Sequence, residues 1–201
     1  MNASVDKEYL LNGRDEHSLI RACVAGDRDA RTELFHRYRD MIHRFAYRFV
    51  GPVADMDDII HDIYIELFKS LKRFRGESRL STWLYSIAAN VCFTYLKKTR
   101  RRGRVFVPYE VIEGQEAHRD NATDGDRVFA RRYVRGRIGE ALLKLNEKKR
   151  LVLILHDIEG RTMEEIARVV KKPVGTVKSR LFHARSEMRG ILKDLMSEPM
   201  L

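Results

Sequence analysis

Residues 162–185 read TMEEIARVVKKPVGTVKSRLFHAR, and this stretch decides the architecture. Thr162 followed three residues later by Glu165 is a capping box: each side chain accepts from the other residue's backbone N–H at a helix start. Ile166, Ala167, Val169 and Val170 give that helix a short apolar face. Pro173 cannot continue it, and a second helix opens near Val174. Two short helices separated by a turn of three to four residues, the second basic, form the helix-turn-helix layout.

At about 100° per residue, Val174, Val177, Leu181, Ala184, Met188 and Ile191 share one side of the second helix. That side is the predicted buried face. Opposite lie Gly175, Ser179, Phe182, His183 and Ser186, with Lys178, Arg185 and Arg189 along one edge and Thr176 and Arg180 toward the other. No acid stands on this helix before Glu187. Lys178, Ser179 and His183 carry donors for base edges, Phe182 suits a thymine methyl, and the flanking arginines suit phosphates. The competing reading is a solvated basic helix in a small bundle. The cap, the turn and an aromatic on the polar face favour the DNA reading.

Working outward, the same helical spacing recurs. Helices are expected at about 16–26, 28–49, from Asp55 to Leu71, and from Ser81 or Thr82, both good N-caps, to Arg101. In the second half they are expected at 127–145, 147–157, 162–170 and 174–193. No alternating strand pattern occurs, so the chain is predicted to be all-α. Between the halves, residues 103–126 read GRVFVPYEVIEGQEAHRDNATDGD, without sustained period and too long for a common loop inside one compact domain. The expected organisation is a domain over 1–102, a flexible linker over 103–126, a helix-turn-helix domain over 127–196 and a tail over 197–201.

Charge follows the same division. The chain of 201 residues carries a formal +10, distributed as +5 over residues 1–102, −4 over 103–126, +10 over 127–194 and −1 over the last seven. Two basic modules around an acidic spacer point to a polyanion touched at two places. No window is long and apolar enough for a membrane helix, and the N-terminus lacks the apolar run of a secretory signal. Two cysteines, Cys23 and Cys92, make no disulfide framework, so a cytoplasmic protein is expected.

The first module holds two further patterns. Asp55, Asp57, Asp58, Asp62 and Glu66 lie within twelve residues without a Lys or Arg among them. Asp58, Asp62 and Glu66 form an i, i+4 stripe of like charge, which costs a few tenths of a kcal/mol per pair in isolation. In so basic a chain this face suits a basic protein partner. Macrodipole complementation at a helix start accounts for the first three acids only. The helix after Ser81 instead gathers Ser86, Asn90, Phe93 and Lys97 opposite a buried stripe of Leu84, Ile87, Ala88, Val91 and Tyr95, and continues into Lys98, Arg100 and Arg101. The preceding loop offers Phe74, Arg75 and Arg79, and Trp83 lies at the border of the two faces. Aromatics among cations suit single-stranded nucleic acid, where each stacked base contributes about 1–3 kcal/mol.

Residues 55–102, DMDDIIHDIYIELFKSLKRFRGESRLSTWLYSIAANVCFTYLKKTRRR, resemble region 2 of the extracytoplasmic-function (group IV) sigma factors of bacterial RNA polymerase. Residues 141–189, which contain HDIEGRTMEEIA and PVGTVKSRLFHAR, resemble their region 4. The resemblance implies two small helical domains, a region 2 bundle and a region 4 helix-turn-helix, with no region 3 and no acidic region 1.1. It implies binding to core RNA polymerase, at the β′ clamp helices and the β flap, through Asp55, Asp58, Ile59, Asp62, Ile63, Glu66 and Phe68. It implies recognition and melting of the −10 element by Phe74, Arg75, Arg79, Ser86, Asn90, Phe93, Lys97, Lys98 and Arg101. It implies reading of the −35 element by Thr176, Lys178, Ser179, Arg180, Phe182, His183 and Arg185. It further implies an anti-sigma factor as partner, no cofactor and no catalytic or metal site. His183 stands where many relatives carry Arg, so the −35 preference is expected to be its own. The alternative, a stand-alone helix-turn-helix regulator, leaves the acidic stripe and the Asn90–Phe93–Lys97 face unexplained. A nucleic-acid enzyme has no motif in support.

Overall fold

A computed structural model of the chain describes residues 14–102 and 125–197, with the side chains of 125–131 left aside. The first module is α1 (Glu16–Ala25), α2 (Arg28–Val50), α3 (Met56–Ser70), a 3-10 turn (Leu71–Arg73) and α4 (Leu80–Arg101). The second is α5 (Gly125–Lys144), α6 (Glu147–Leu153), a π turn (Ile154–Ile158), α7 (Met163–Val170) and α8 (Val174–Ser197). The described residues contain no strand, as the periodicity predicts. Residues 103–124 of the acidic linker and 198–201 of the tail lie outside the described residues.

Local chemistry explains the helix ends. Asp15 accepts from the N–H groups of His17 and Ser18 and starts α1; Asp27 accepts from Asp29 and Ala30 and starts α2. Each satisfies donors that a helix start leaves unpaired. Gly26, at φ 94°, lets the chain turn between them. Two expectations fail at the start of α4. Neither Ser81 nor Thr82 caps it: the N-cap is Arg79, without a side-chain bond. The Glu16 carboxylate, reaching across from α1, accepts from the Leu80 N–H at 3.2 Å instead. That frees both hydroxyls for the second module. The capping box at α7 is present in both directions, with Thr162 Oγ1 accepting from Glu165 N at 3.2 Å and Glu165 Oε2 from Thr162 N at 3.0 Å. Lys171 closes α7 in the left-handed region at φ 51°, ψ 49°.

The apolar faces assemble one contiguous core. Ile59, Ile63 and Leu67 of α3 meet Phe45 and Phe49 of α2 and Leu84, Ala88 and Cys92 of α4. Leu142, Leu151, Ile154 and Leu155 close with Ile166, Val177, Leu181 and Ala184 in the second module. The two modules also pack against each other, α4 on α7 and α2 on α5 and α6. Arg150 sits at this junction, 6% exposed. Its guanidinium donates to Phe49 O at 2.6 Å, Leu143 O at 2.7 Å and Leu145 O at 2.9 Å. These carbonyls end α2 and α5, where a helix leaves its acceptors unpaired and favours a cation.

Candidate nucleic-acid and protein-docking surfaces

On α8 the wheel places most side chains correctly. Val177, Leu181, Ala184 and Met188 are buried, and Val174 and Ile191 half-buried. Lys178, Ser179, His183 and Arg185 are exposed, Thr176 and Arg180 half-buried. Phe182 is 71% exposed, a large apolar ring on an otherwise polar face. Its ring meets His183 edge-on at 5.5 Å. With Met163, Lys178, Leu181, Arg185, Ser186 and Arg189 it lines an open groove of about 340 Å³. Cations rim apolar ground there.

Arg185 departs from expectation. Its guanidinium is engaged bidentately by Asp157, with Nε donating to Oδ2 at 2.9 Å and Nη2 to Oδ1, and it lies 3.2 Å from His156 Nδ1. The Arg185 hydrogen bonds hold the Asp157 carboxyl below its usual range. Arg185 therefore joins α8 to the π turn, and only part of its fork faces solvent. Asp157 is a positioning residue that the sequence pattern does not single out, because its partner lies 28 residues away.

On the first module, Asn90, Lys97, Lys98, Arg101, Arg75 and Arg79 are exposed as expected. Thr94, Lys97, Lys98, Arg101 and Arg102 border a basic groove of about 410 Å³ along the end of α4. Ser86 is half-buried and donates to Trp83 O at 2.6 Å. Phe74 and Trp83 are half-buried and packed together, with ring centroids 5.1 Å apart. Gly76, at φ 72°, supplies the positive-φ turn of the loop between them. Phe93 is half-buried and edge-on to Phe49 at 5.1 Å. It is not the free stacking ring that the wheel suggests, because the end of α2 reaches under it. The buried stripe of α4 is also broader than predicted: Val91 and Tyr95 are half-buried, while Tyr85, Cys92 and Leu96 are buried.

The acidic stripe of α3 divides in two. Asp58, Asp62 and Glu66 stand exposed along one face. Ile59 and Ile63 are only 2% and 0% exposed, so they are core residues and not the docking surface expected of them. They follow the same period of three to four as the acids but point inward. Phe68 is half-buried beside Tyr64, with Arg31 over its ring at 5.9 Å. Asp55 is half-buried and accepts from Tyr95 OH at 3.2 Å, which also takes it out of the free stripe.

No helix among the described residues is long and apolar enough to cross a membrane. The Sigma-70 region 2 family matches residues 34–102, and the Sigma-70 region 4 family matches residues 135–188. The chain is 31% identical over 193 residues to the RNA polymerase sigma-H factor of Pseudomonas aeruginosa, over 94% of this chain and 100% of that protein. It is 30% identical over 179 residues to the ECF RNA polymerase sigma factor SigW of Bacillus subtilis, over 88% of this chain and 96% of that one. The fold is similar to that of CnrH in its complex with the cytosolic domain of CnrY, at TM-score 0.65 and 22% identity over 90% of this chain and 99% of that one. It is also similar to the sigma factor RpoE of Bartonella quintana bound to the anti-sigma factor NepR, at TM-score 0.63 and 21% identity over 81% and 96%.

Proposed function

Because the chain belongs to the extracytoplasmic-function sigma factors of bacterial RNA polymerase, we propose that it binds core polymerase, recognises the −10 and −35 promoter elements and promotes melting at initiation. The single observation that carries the reading is the segregation of exposed charge. One acidic face lies on α3, one basic groove at the end of α4, and one basic-aromatic face on α8. A stand-alone regulator uses the last of these only.

Asp58, Asp62 and Glu66 meet the β′ clamp helices, and the second module meets the β flap. Asn90, Lys97, Lys98 and Arg101, with Arg75 and Arg79 of the loop, follow the −10 strand; Phe74 and Trp83 form the aromatic floor beside it. Phe93 takes part only if its contact with Phe49 opens. Lys178, Ser179, Phe182 and His183 read the −35 element in the major groove. His183, an imidazole without the paired donors of a guanidinium fork, makes a weaker discrimination than an arginine. Thr176, Arg180 and the open part of Arg185 hold phosphates. The domains divide as 1–102 and 127–196, and the protein works in the cytoplasm by binding and positioning, without chemistry of its own. An anti-sigma factor is among its partners.

The test is transcription from a promoter library with purified chain and core polymerase. Specific start sites are expected, and Asp62→Lys lowers core binding while leaving duplex DNA binding intact. Specific DNA binding without polymerase, together with no initiation, refutes the reading.

A further inference from the structure

The loop before α4 has little of its own to fix its shape. Ser78 Oγ donates to the neighbouring Arg79 carbonyl at 3.3 Å, and Arg75 stands 3.9 Å from Glu77 with both side chains in water. Exposed contacts of this kind contribute little. The start of α4 has no side-chain cap from its own N-cap residue, although a helix start leaves its first N–H groups unpaired. Yet this loop carries Arg75 and Arg79 and packs Phe74 against Trp83. Its shape is set from outside.

The support comes from α1. That helix packs against the 3-10 turn Leu71–Arg73, where the loop begins. His17 stands beside the middle of the loop: a Cβ on Gly76 would meet His17 Cε1 at 3.7 Å. At the far end, Glu16 Oε1 accepts from the Leu80 N–H at 3.2 Å. Leu80 is fully buried, so water does not replace the carboxylate while the loop keeps its place, and a buried donor left unpaired is costly. The other oxygen of Glu16, Oε2, accepts from Tyr38 OH of α2 at 2.8 Å. Burial, and then the Glu16 carboxylate, push the Tyr38 hydroxyl above its usual range, so it stays a donor. The start of α1 is in turn fastened to α2. Glu33, 6% exposed, accepts from Arg14 N at 3.0 Å and from Arg37 Nη2 at 2.7 Å, and the same Nη2 donates to Arg14 O at 2.8 Å. An acid that faced the strand would repel its phosphates. Glu16 is half-buried with both oxygens engaged by protein donors, so it holds the loop and does not touch nucleic acid.

We propose that Glu16 is a positioning residue for −10 recognition: braced by Tyr38, it caps α4 from α1 and holds the loop 74–79 in the shape that receives the strand. The proposal rests on the promoter reading above for what the loop receives, but not for the brace itself. Without Glu16 the loop keeps its cations and loses its fixed geometry. Attraction to phosphate needs only charge, whereas telling one base from another needs placement.

The test uses holoenzyme assembled from core polymerase and full-length wild type, Glu16→Ala, Glu16→Gln or Tyr38→Phe. The probe is a labelled single strand from the −10 region of a promoter mapped with wild type, permuted base by base. Glu16→Ala should lose about tenfold in discrimination at the bases beside the loop, the worth of about one stacking contact, with other positions and the salt dependence unchanged. Tyr38→Phe, which removes only the brace, should lose about threefold there. Glu16→Gln should stay within about twofold of wild type, because its amide oxygen still accepts from the Leu80 N–H. Asn146→Ala removes the side-chain cap of α6 in the other module and controls for a general fall in melting temperature. Hydrogen exchange on the free chain reads the loop without a promoter: amides 74–80 should exchange about tenfold faster in Glu16→Ala, with those of α3 unchanged. Equal losses at every base that track melting temperature as in Asn146→Ala make Glu16 purely structural and overturn the proposal. So do unchanged loop amides, or Glu16→Gln as poor as Glu16→Ala. A wild type that discriminates at no base overturns the promoter reading instead, and exchange in the loop still judges the brace.

Discussion

Replacing Arg150 with Met tests whether the module junction is held by helix-end chemistry or by apolar packing alone. Met matches the length and much of the volume of the aliphatic stem, so the change removes the guanidinium with little cavity. Three carbonyls lose their donor: Phe49 O, Leu143 O and Leu145 O. At about 1.5 kcal/mol net for each charge-assisted bond, the gross loss is about 4–5 kcal/mol. Burial of the cation opposes this; it pushes the Arg150 pKa down to about 10. The Leu143 carbonyl lies at a part-buried helix end that water can reach, while the Leu145 carbonyl is buried. A net loss of about 3 kcal/mol remains, within the range for removing one member of a buried charged network. Urea unfolding followed by circular dichroism should show the midpoint fall with little change in slope. Arg150→Lys should fall between, since an ammonium lacks the fork that serves two helix ends together. If Arg150→Met costs less than about 1 kcal/mol, apolar contacts hold the junction and the helix-end argument fails.

Other outcomes follow from the same side chains. Ser179→Ala or His183→Ala should shift −35 sequence preference by about 1–3 kcal/mol for each base-edge hydrogen bond removed, measured by competition among promoter variants. Arg185→Ala should weaken all promoters alike, and in a double-mutant cycle with Asp157→Ala the pair should couple by about 0.5–1 kcal/mol of stability. Lys171→Gly should raise stability by about 0.5–1 kcal/mol, because the left-handed cap at φ 51° strains any residue with a Cβ; Lys171→Ala should not. Glu165 is held below its ordinary 4.5, first by the Thr162 backbone and then by Thr82. Its contribution is present above that pH and lost as pH falls through the folded value, so Glu165→Gln should flatten the acid limb of a thermal-stability profile.

Periodicity and caps make most of the fold legible. The expected helices at 28–49, 162–170 and 174–193 match α2, α7 and all but the last turn of α8. That last turn forms because Leu195, 1% exposed, extends the buried stripe. The candidate surfaces are legible where they depend on one helix: the exposed side of α8 and the acids of α3 follow from angle alone. The misassigned residues have two physical causes. Ile59 and Ile63 alternate with the acids at the same helical spacing, so a stripe read by charge gathers residues that point the other way. Phe93 and Tyr95 are sorted by angle on α4, but their exposure is set by Phe49 and Asp55, which arrive from elsewhere in the module.

The junction itself has no local signature. Glu159 reads as an ordinary turn acid, Tyr85 as one aromatic near an apolar stripe, and Ser81 and Thr82 as N-caps. Glu159 and Tyr85 are reassigned only when partners 74 to 111 residues apart in sequence are brought together. A helical pattern reports that a face is covered, not what covers it. The same pattern would arise if Tyr85 faced a helix of its own module. What decides between the two cases is where the partner of each polar atom at the edge of the stripe lies. Tyr85 OH, Thr82 Oγ1 and the Arg48 guanidinium each end on a carboxylate of the second module. Their convergence on Glu159 and Glu165 ties the two modules together at the rim of the shared core.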